Sequence, residues 1–110
     1  MVAHDPTRPP DPSRLLSAET IARLRDAIAE QWRSSRAESE ETQAAILELA
    51  REARGRRVFP ESLIVLLKGI EADVVRGVPQ RSPVARRQLT EWLVTTCLRA
   101  YFQSEEGGAP

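Results

Sequence analysis

Three interruptions decide what this chain can fold into. The polar stretch at 33–42 (RSSRAESEET), the turn at 55–60 and the turn at 77–83 cut its middle into four segments. Within each segment the apolar residues recur at intervals of three and four, the period of an amphipathic helix rather than of a strand. The expected fold class is therefore all-α, a small bundle of about four helices with disordered termini, of up-and-down type or an irregular relative.

The boundaries follow from local chemistry. The first helix should start near Ser17, which caps. Glu19 sits in the first turn, and Leu16 and Ile21 occupy the positions of a hydrophobic staple. Ile21, Leu24, Ile28 and Trp32 then form a stripe. Past Trp32 a continued seam would carry Ser35, Ser39 and Thr42, so a break is expected. Ser35–Glu38 fits a capping box and Ser39 offers a second cap. A single helix running on to Arg54 is the alternative. The second helix covers about 40–54, with Ile46, Leu49 and Ala53 on one face and Gly55 as the residue that ends it.

Pro60-Glu61 opens the third helix. Leu63, Leu67, Ile70 and Val74 fall on one line. The run Leu63–Leu67 alone would also suit a strand, but the proline-acid start and the stop at Gly77-Val78-Pro79 favour helix. Ser82 caps the fourth helix, Pro83 takes its first position, and the pattern runs to about Gln103. Its polar line is narrow (Gln88, Glu91, Thr95, Arg99, Gln103), so this helix should be central or lie in an interface. The core is expected from the first, third and fourth helices, with the second covering an edge. No internal repeat of solenoid length is evident.

The ends differ in composition. Residues 1–14 contain four prolines and few apolar groups and are expected to be a disordered leader, with 15–103 the helical domain and 104–110 a disordered tail. The leader has no apolar h-region of a signal peptide. The longest apolar run, Leu63–Leu67, is far short of the ~20 residues a spanning helix needs. A single cysteine, Cys97, cannot staple its own chain, and a reducing, cytoplasmic setting without membrane contact is the expectation.

Sixteen basic residues balance sixteen acidic ones, so no global field steers the chain toward nucleic acid. Fifteen of the basic residues are Arg, which is read as coding bias. Catalysis has little to stand on: the only histidine, His4, lies in the leader, and Cys97 sits in an apolar stretch with no basic partner. Glu38, Glu40 and Glu41 stand where a helix dipole stabilises acids. No phosphate-binding glycine loop is present. Neither enzyme activity nor a cofactor or metal is expected.

Two basic clusters remain. Arg51, Arg54, Arg56 and Arg57 complement the end of the second helix and need no further role. Arg76, Arg81, Arg86 and Arg87 are different: two of them sit in the first turns of the fourth helix, where the dipole disfavours cations. They are the candidate anion- or partner-binding residues. Leu66, Val94, Leu98 and Phe102 are the candidate apolar interface, since the last two helices carry more apolar surface than a chain of 110 residues easily hides. The expected function is a non-enzymatic protein-interaction or regulatory module whose partner is another protein or a second copy of itself. The alternative is an accessory protein that binds nucleic acid or another anion through the Arg patch. A helix-turn-helix reader fits poorly, because the last two helices are too apolar to lie in a groove.

Overall fold

The computed structural model describes residues 15–78 and 82–106. Among these residues run the helices α1 (Ala18–Arg33), α2 (Glu40–Gly55), α3 (Pro60–Gly77) and α4 (Pro83–Glu106). No strand occurs among the described residues, and the run Leu63–Leu67 lies inside α3. No helix among them is long and apolar enough to cross a membrane. The expectations for residues 1–14, Pro79 and Arg81 lie outside the described residues. α4 continues through Glu106, three residues into the stretch expected to be tail, and residues 107–110 again lie outside.

Caps set most helix starts. The Ser17 and Ser39 side chains accept the Thr20 and Thr42 N–H groups, and the Ser82 hydroxyl accepts from Ala85 N–H. α3 has no side-chain cap; Phe59 precedes it and Pro60 supplies the preset φ of a first turn. The break between α1 and α2 is real, but Ser39 rather than Ser35 caps α2. Ser35 instead adopts a left-handed φ of 57°, and Arg36 N–H reaches back to Gln31 O. The same closure ends α2, where Arg57 has φ 59° and Val58 N–H donates to Ala53 O at 2.8 Å. Gly55, expected to end α2, is its last helical residue.

The helices pair as two antiparallel hairpins. Thr20 and Ser17 on the first helix meet Glu52 on the second, and Arg23 meets Glu48, which sets α1 antiparallel to α2. Thr90 meets Glu71 and Tyr101 OH meets Val58 O, which sets α4 antiparallel to α3. The hairpins stack with α1 beside α3 and α2 beside α4. Each stacked pair runs in the same direction. Trp32 Nε1 donates to Val78 O at the end of α3, and Arg54 Nη1 donates to Tyr101 O near the end of α4. Helix directions alternate along the chain, yet parallel helices lie side by side. This arrangement is that of helix-pair stacking in α-solenoids rather than of a simple up-and-down bundle.

Burial repeats with the stacking. A spacing of 43 residues carries Thr20, Leu24, Ala27, Ile28 and Gln31 of α1 onto Leu63, Leu67, Ile70, Glu71 and Val74 of α3, and all ten are buried. A spacing of 47 carries Thr42, Ile46, Ala50 and Ala53 of α2 onto Leu89, Leu93, Cys97 and Ala100 of α4, again all buried. The repeat is one of geometry, because polar residues in one hairpin stand opposite apolar ones in the other.

α2 is not an edge helix. Ala45, Ile46, Leu49, Ala50 and Ala53 are all essentially inaccessible, as deeply set as Leu24, Leu63 and Leu93. Its alanines look weakly hydrophobic in the sequence, but small side chains let neighbouring backbones approach. α4, in turn, is a corner rather than the centre: Leu89, Leu93, Cys97 and Ala100 face inward, while Leu98 and Phe102 face out.

Candidate functional site

The structure separates the two groups of candidate residues and sets one of the arginines, Arg86, against a buried acid. Glu71 is 2% exposed, and its carboxylate accepts the Thr90 hydroxyl at 2.5 Å. Arg86 Nε stands 3.9 Å from the same carboxylate oxygen. A cation in the first turn of α4 therefore offsets a buried acid on α3, which accounts for its place against the dipole. Arg76 Nη1 lies 3.5 Å from Asp73, one turn back on the same helix. Arg87 is exposed one residue beyond Arg86, and Arg81 lies outside the described residues.

Two members of the other basic cluster, Arg54 and Arg56, are also engaged. Arg54 donates to Tyr101 O at 2.9 Å and stacks 5.7 Å from the Tyr101 ring centre. Arg56 Nε is 3.9 Å from Glu52. Glu52 itself reaches across to α1, where it accepts Ser17 N–H and the Thr20 hydroxyl. Neither Glu71 nor Glu52 carries a signal in the sequence, since each is partnered from another helix.

The apolar candidates fall on two sides of α3–α4. Leu66 is half-buried and packed against the core. It stands five residues from Glu71, so it lies around the far side of α3 from α4. Val94, one turn beyond Thr90, leads outward on α4 to Leu98 and Phe102, which are 37% and 49% exposed. Val65 on α3 is 70% exposed. Val65 lies opposite the line of Leu63, Leu67, Ile70 and Val74, so helical spacing alone marks it as the outward residue of its run.

Two stripes organise this outward side. On α3, Glu61, Val65, Lys68 and Ala72 follow at intervals of four, three and four; on α4, Arg87, Glu91, Val94 and Leu98 do the same. Such residues share a helix face. The opposite end of the stack is unlike it. On α1, Glu19, Arg23, Asp26 and Glu30 form a charged, exposed stripe, and Arg23 pairs with exposed Glu48 of α2 across the outside of the first hairpin.

Two small concave sites lie among the described residues. A cleft of about 200 Å³ between α2 and α4 is lined by Gln43, Leu47, Trp92, Thr96 and Arg99. Another of about 100 Å³ lies where Gln31 and Trp32 approach Ala85 and Leu89. Both fall below the roughly 300–1,000 Å³ of ordinary small-molecule pockets. Cys97 is buried, and desolvation pushes its thiol up from 9.0 to about 12. Among the described residues no three His, Cys, Asp or Glu side chains gather in a metal-holding group. No family model, curated protein or solved structure matches this chain.

Proposed function

We propose that this chain is a non-enzymatic protein-interaction module whose working surface is the outward side of the second hairpin, α3–α4. One observation carries the reading. The stack of helix pairs ends in a wholly charged stripe on α1, whereas on the α3–α4 side exposed Val65, Leu98 and Phe102 interleave with Glu61, Lys68, Arg87 and Glu91. In stacked-helix proteins a terminal pair needs a polar outer face, and an apolar one invites further helices. The occupant that fits is a polypeptide presenting helices, whose ridges pack between those of α3 and α4. The small clefts and the unreactive buried thiol support a role without chemistry. The lone cysteine fits a reducing, cytoplasmic setting.

The anion-binding alternative is weakened by geometry: Arg86 and Arg76 already face Glu71 and Asp73. It rests on Arg87 and Arg81. Paired substitution separates the readings. Leu98→Glu with Phe102→Glu should abolish capture of a specific partner from the native host while leaving the helical circular dichroism intact. Arg81→Glu with Arg87→Glu should leave that capture in place. The reverse pattern, with binding that falls steeply as salt rises, would move the function to the arginines.

A further inference from the structure

We propose that a second copy of this chain closes the outward side of α3–α4, face to face about a two-fold axis parallel to the helices. This rests on the reading of α3–α4 as the working surface and names its occupant.

The two ends of the stack disfavour the other way of adding a copy. Head-to-tail growth would lay exposed Val65 and Leu98 against Glu19, Asp26, Glu30 and Glu48, leaving Lys68 and Arg87 to offset four carboxylates at an apolar contact. Face-to-face closure joins the two sides that carry exposed Val65 and Leu98 and leaves both acid-rich sides in water, and such an isologous contact ends the assembly at two.

The register within the hairpin makes the face complementary to itself. The Glu71–Thr90 and Val58–Tyr101 contacts fix which residues of α3 and α4 stand level. By that register Val65 is level with Val94, Lys68 with Glu91, and Ala72 with Arg87. A two-fold axis along the helices lays α3 of one copy on α4 of the other. Val65 then meets Val94 of the second copy, and Lys68 meets its Glu91. Both pairs occur twice, so the contact gains two apolar pairs and two opposite-charge pairs without placing like charges together; the same register lays Glu61 on Leu98 and Ala72 on Arg87 toward the two ends of the patch.

The size is adequate. α3 has 18 residues, which at 1.5 Å per residue is about 27 Å. Two helices side by side span about 20 Å. The resulting patch of about 500 Å² in projection corresponds to a larger accessible area, near the roughly 800 Å² per partner of a standard interface.

Charge exchange on the full chain tests it, read by sedimentation velocity from low to high micromolar concentration. The wild type should sediment as a dimer. Lys68→Glu or Glu91→Lys alone should weaken association by about tenfold or more, because each sets like charges face to face. The combined Lys68→Glu and Glu91→Lys exchange should restore it, an outcome that no loss of folding can imitate. Val94→Glu should give a monomer with unchanged helicity. A wild type that stays monomeric at high micromolar concentration overturns the proposal. So does a dimer that tolerates the single reversals and Val94→Glu, or a double exchange that restores nothing. A monomer whose Val94→Glu variant loses a different, specific protein partner would sink the second-copy proposal and keep the interaction surface. A monomer that loses no partner on the same change would sink both.

Discussion

Glu71 of α3 and Thr90 of α4 meet inside the second hairpin, with the threonine hydroxyl 2.5 Å from a carboxylate that is 2% exposed. The hydroxyl also lies 2.9 Å from Arg86 O, but it has one proton, and a carboxylate is the stronger acceptor. Thr90→Val removes that donor and leaves the carboxylate with Arg86 alone. The expected cost is about 1–3 kcal/mol, read from urea midpoints at unchanged slope. Glu71→Leu combined with Thr90→Val should return stability to within about 1 kcal/mol of wild type or exceed it, because an apolar pair needs no partners. If the two changes simply add as losses, the contact is not the reason Glu71 is tolerated in the seam.

Glu52 ties the first hairpin together in a second way. It accepts the backbone N–H of Ser17 and the Thr20 hydroxyl at the start of α1, where negative charge also meets the helix dipole. Glu52→Ala should cost about 1–3 kcal/mol, since Ser17 N–H and buried Thr20 both lose their acceptor. Glu19→Ala, an exposed acid in the same first turn, should cost well under about 1 kcal/mol. Equal effects from the two would show that bulk charge near the helix start matters and the bridge between helices does not.

The four helices were legible because their buried lines are apolar at helical spacing. Leu24, Ile28 and Trp32, then Ile46, Leu49 and Ala53, Leu63 to Val74, and Leu89 to Ala100 all follow it. Ser17, Pro60 and Ser82 announced three starts. The stacking was not legible, since it depends on which faces meet, and Thr20, Gln31, Thr42 and Glu71 break the apolar lines at buried positions. A search for repeats sees residue types, and Ile28 opposite Glu71 or Gln31 opposite Val74 has none in common. Of the candidate site, the outward Val94, Leu98 and Phe102 were accessible to periodicity. The engagement of Arg86 was not, because its partner lies on another helix.

Helix ends supply a sharper case. Glycine was the sequence's best terminator for α2, yet the left-handed residue is Arg57 at φ 59°, two positions past Gly55. A left-handed conformation strains any residue with a Cβ by about 1–2 kcal/mol, so Arg57→Gly should stabilise by up to about 1 kcal/mol. Gly55→Ala should also stabilise, by about 0.5–1 kcal/mol, because Gly55 is helical and a Cβ there meets nothing within 4 Å. Thermal midpoints of the two variants decide the matter. A destabilised Gly55→Ala would place the left-handed turn at Gly55 after all.

Cys97 sets a limit on alkaline stability. Burial in α4 pushes its thiol from 9.0 up to about 12, so the folded chain holds the proton that an unfolded chain releases. A folded-state value above the unfolded one means stability is fully present below about 9 and is lost progressively as pH rises toward about 12. Over that window the unfolded state binds fewer protons, and the slope of unfolding free energy against pH is negative. Cys97→Ala should flatten this part of the profile while lowering stability overall, through the cavity left by the sulfur. In the native protein at neutral pH the thiol should resist alkylation, since the thiolate is the nucleophile and the side chain is 1% exposed. Modification should then proceed at the rate of unfolding. Rapid labelling under native conditions would mean that the α4 seam opens readily, and an identical alkaline profile in Cys97→Ala would assign the loss to other groups.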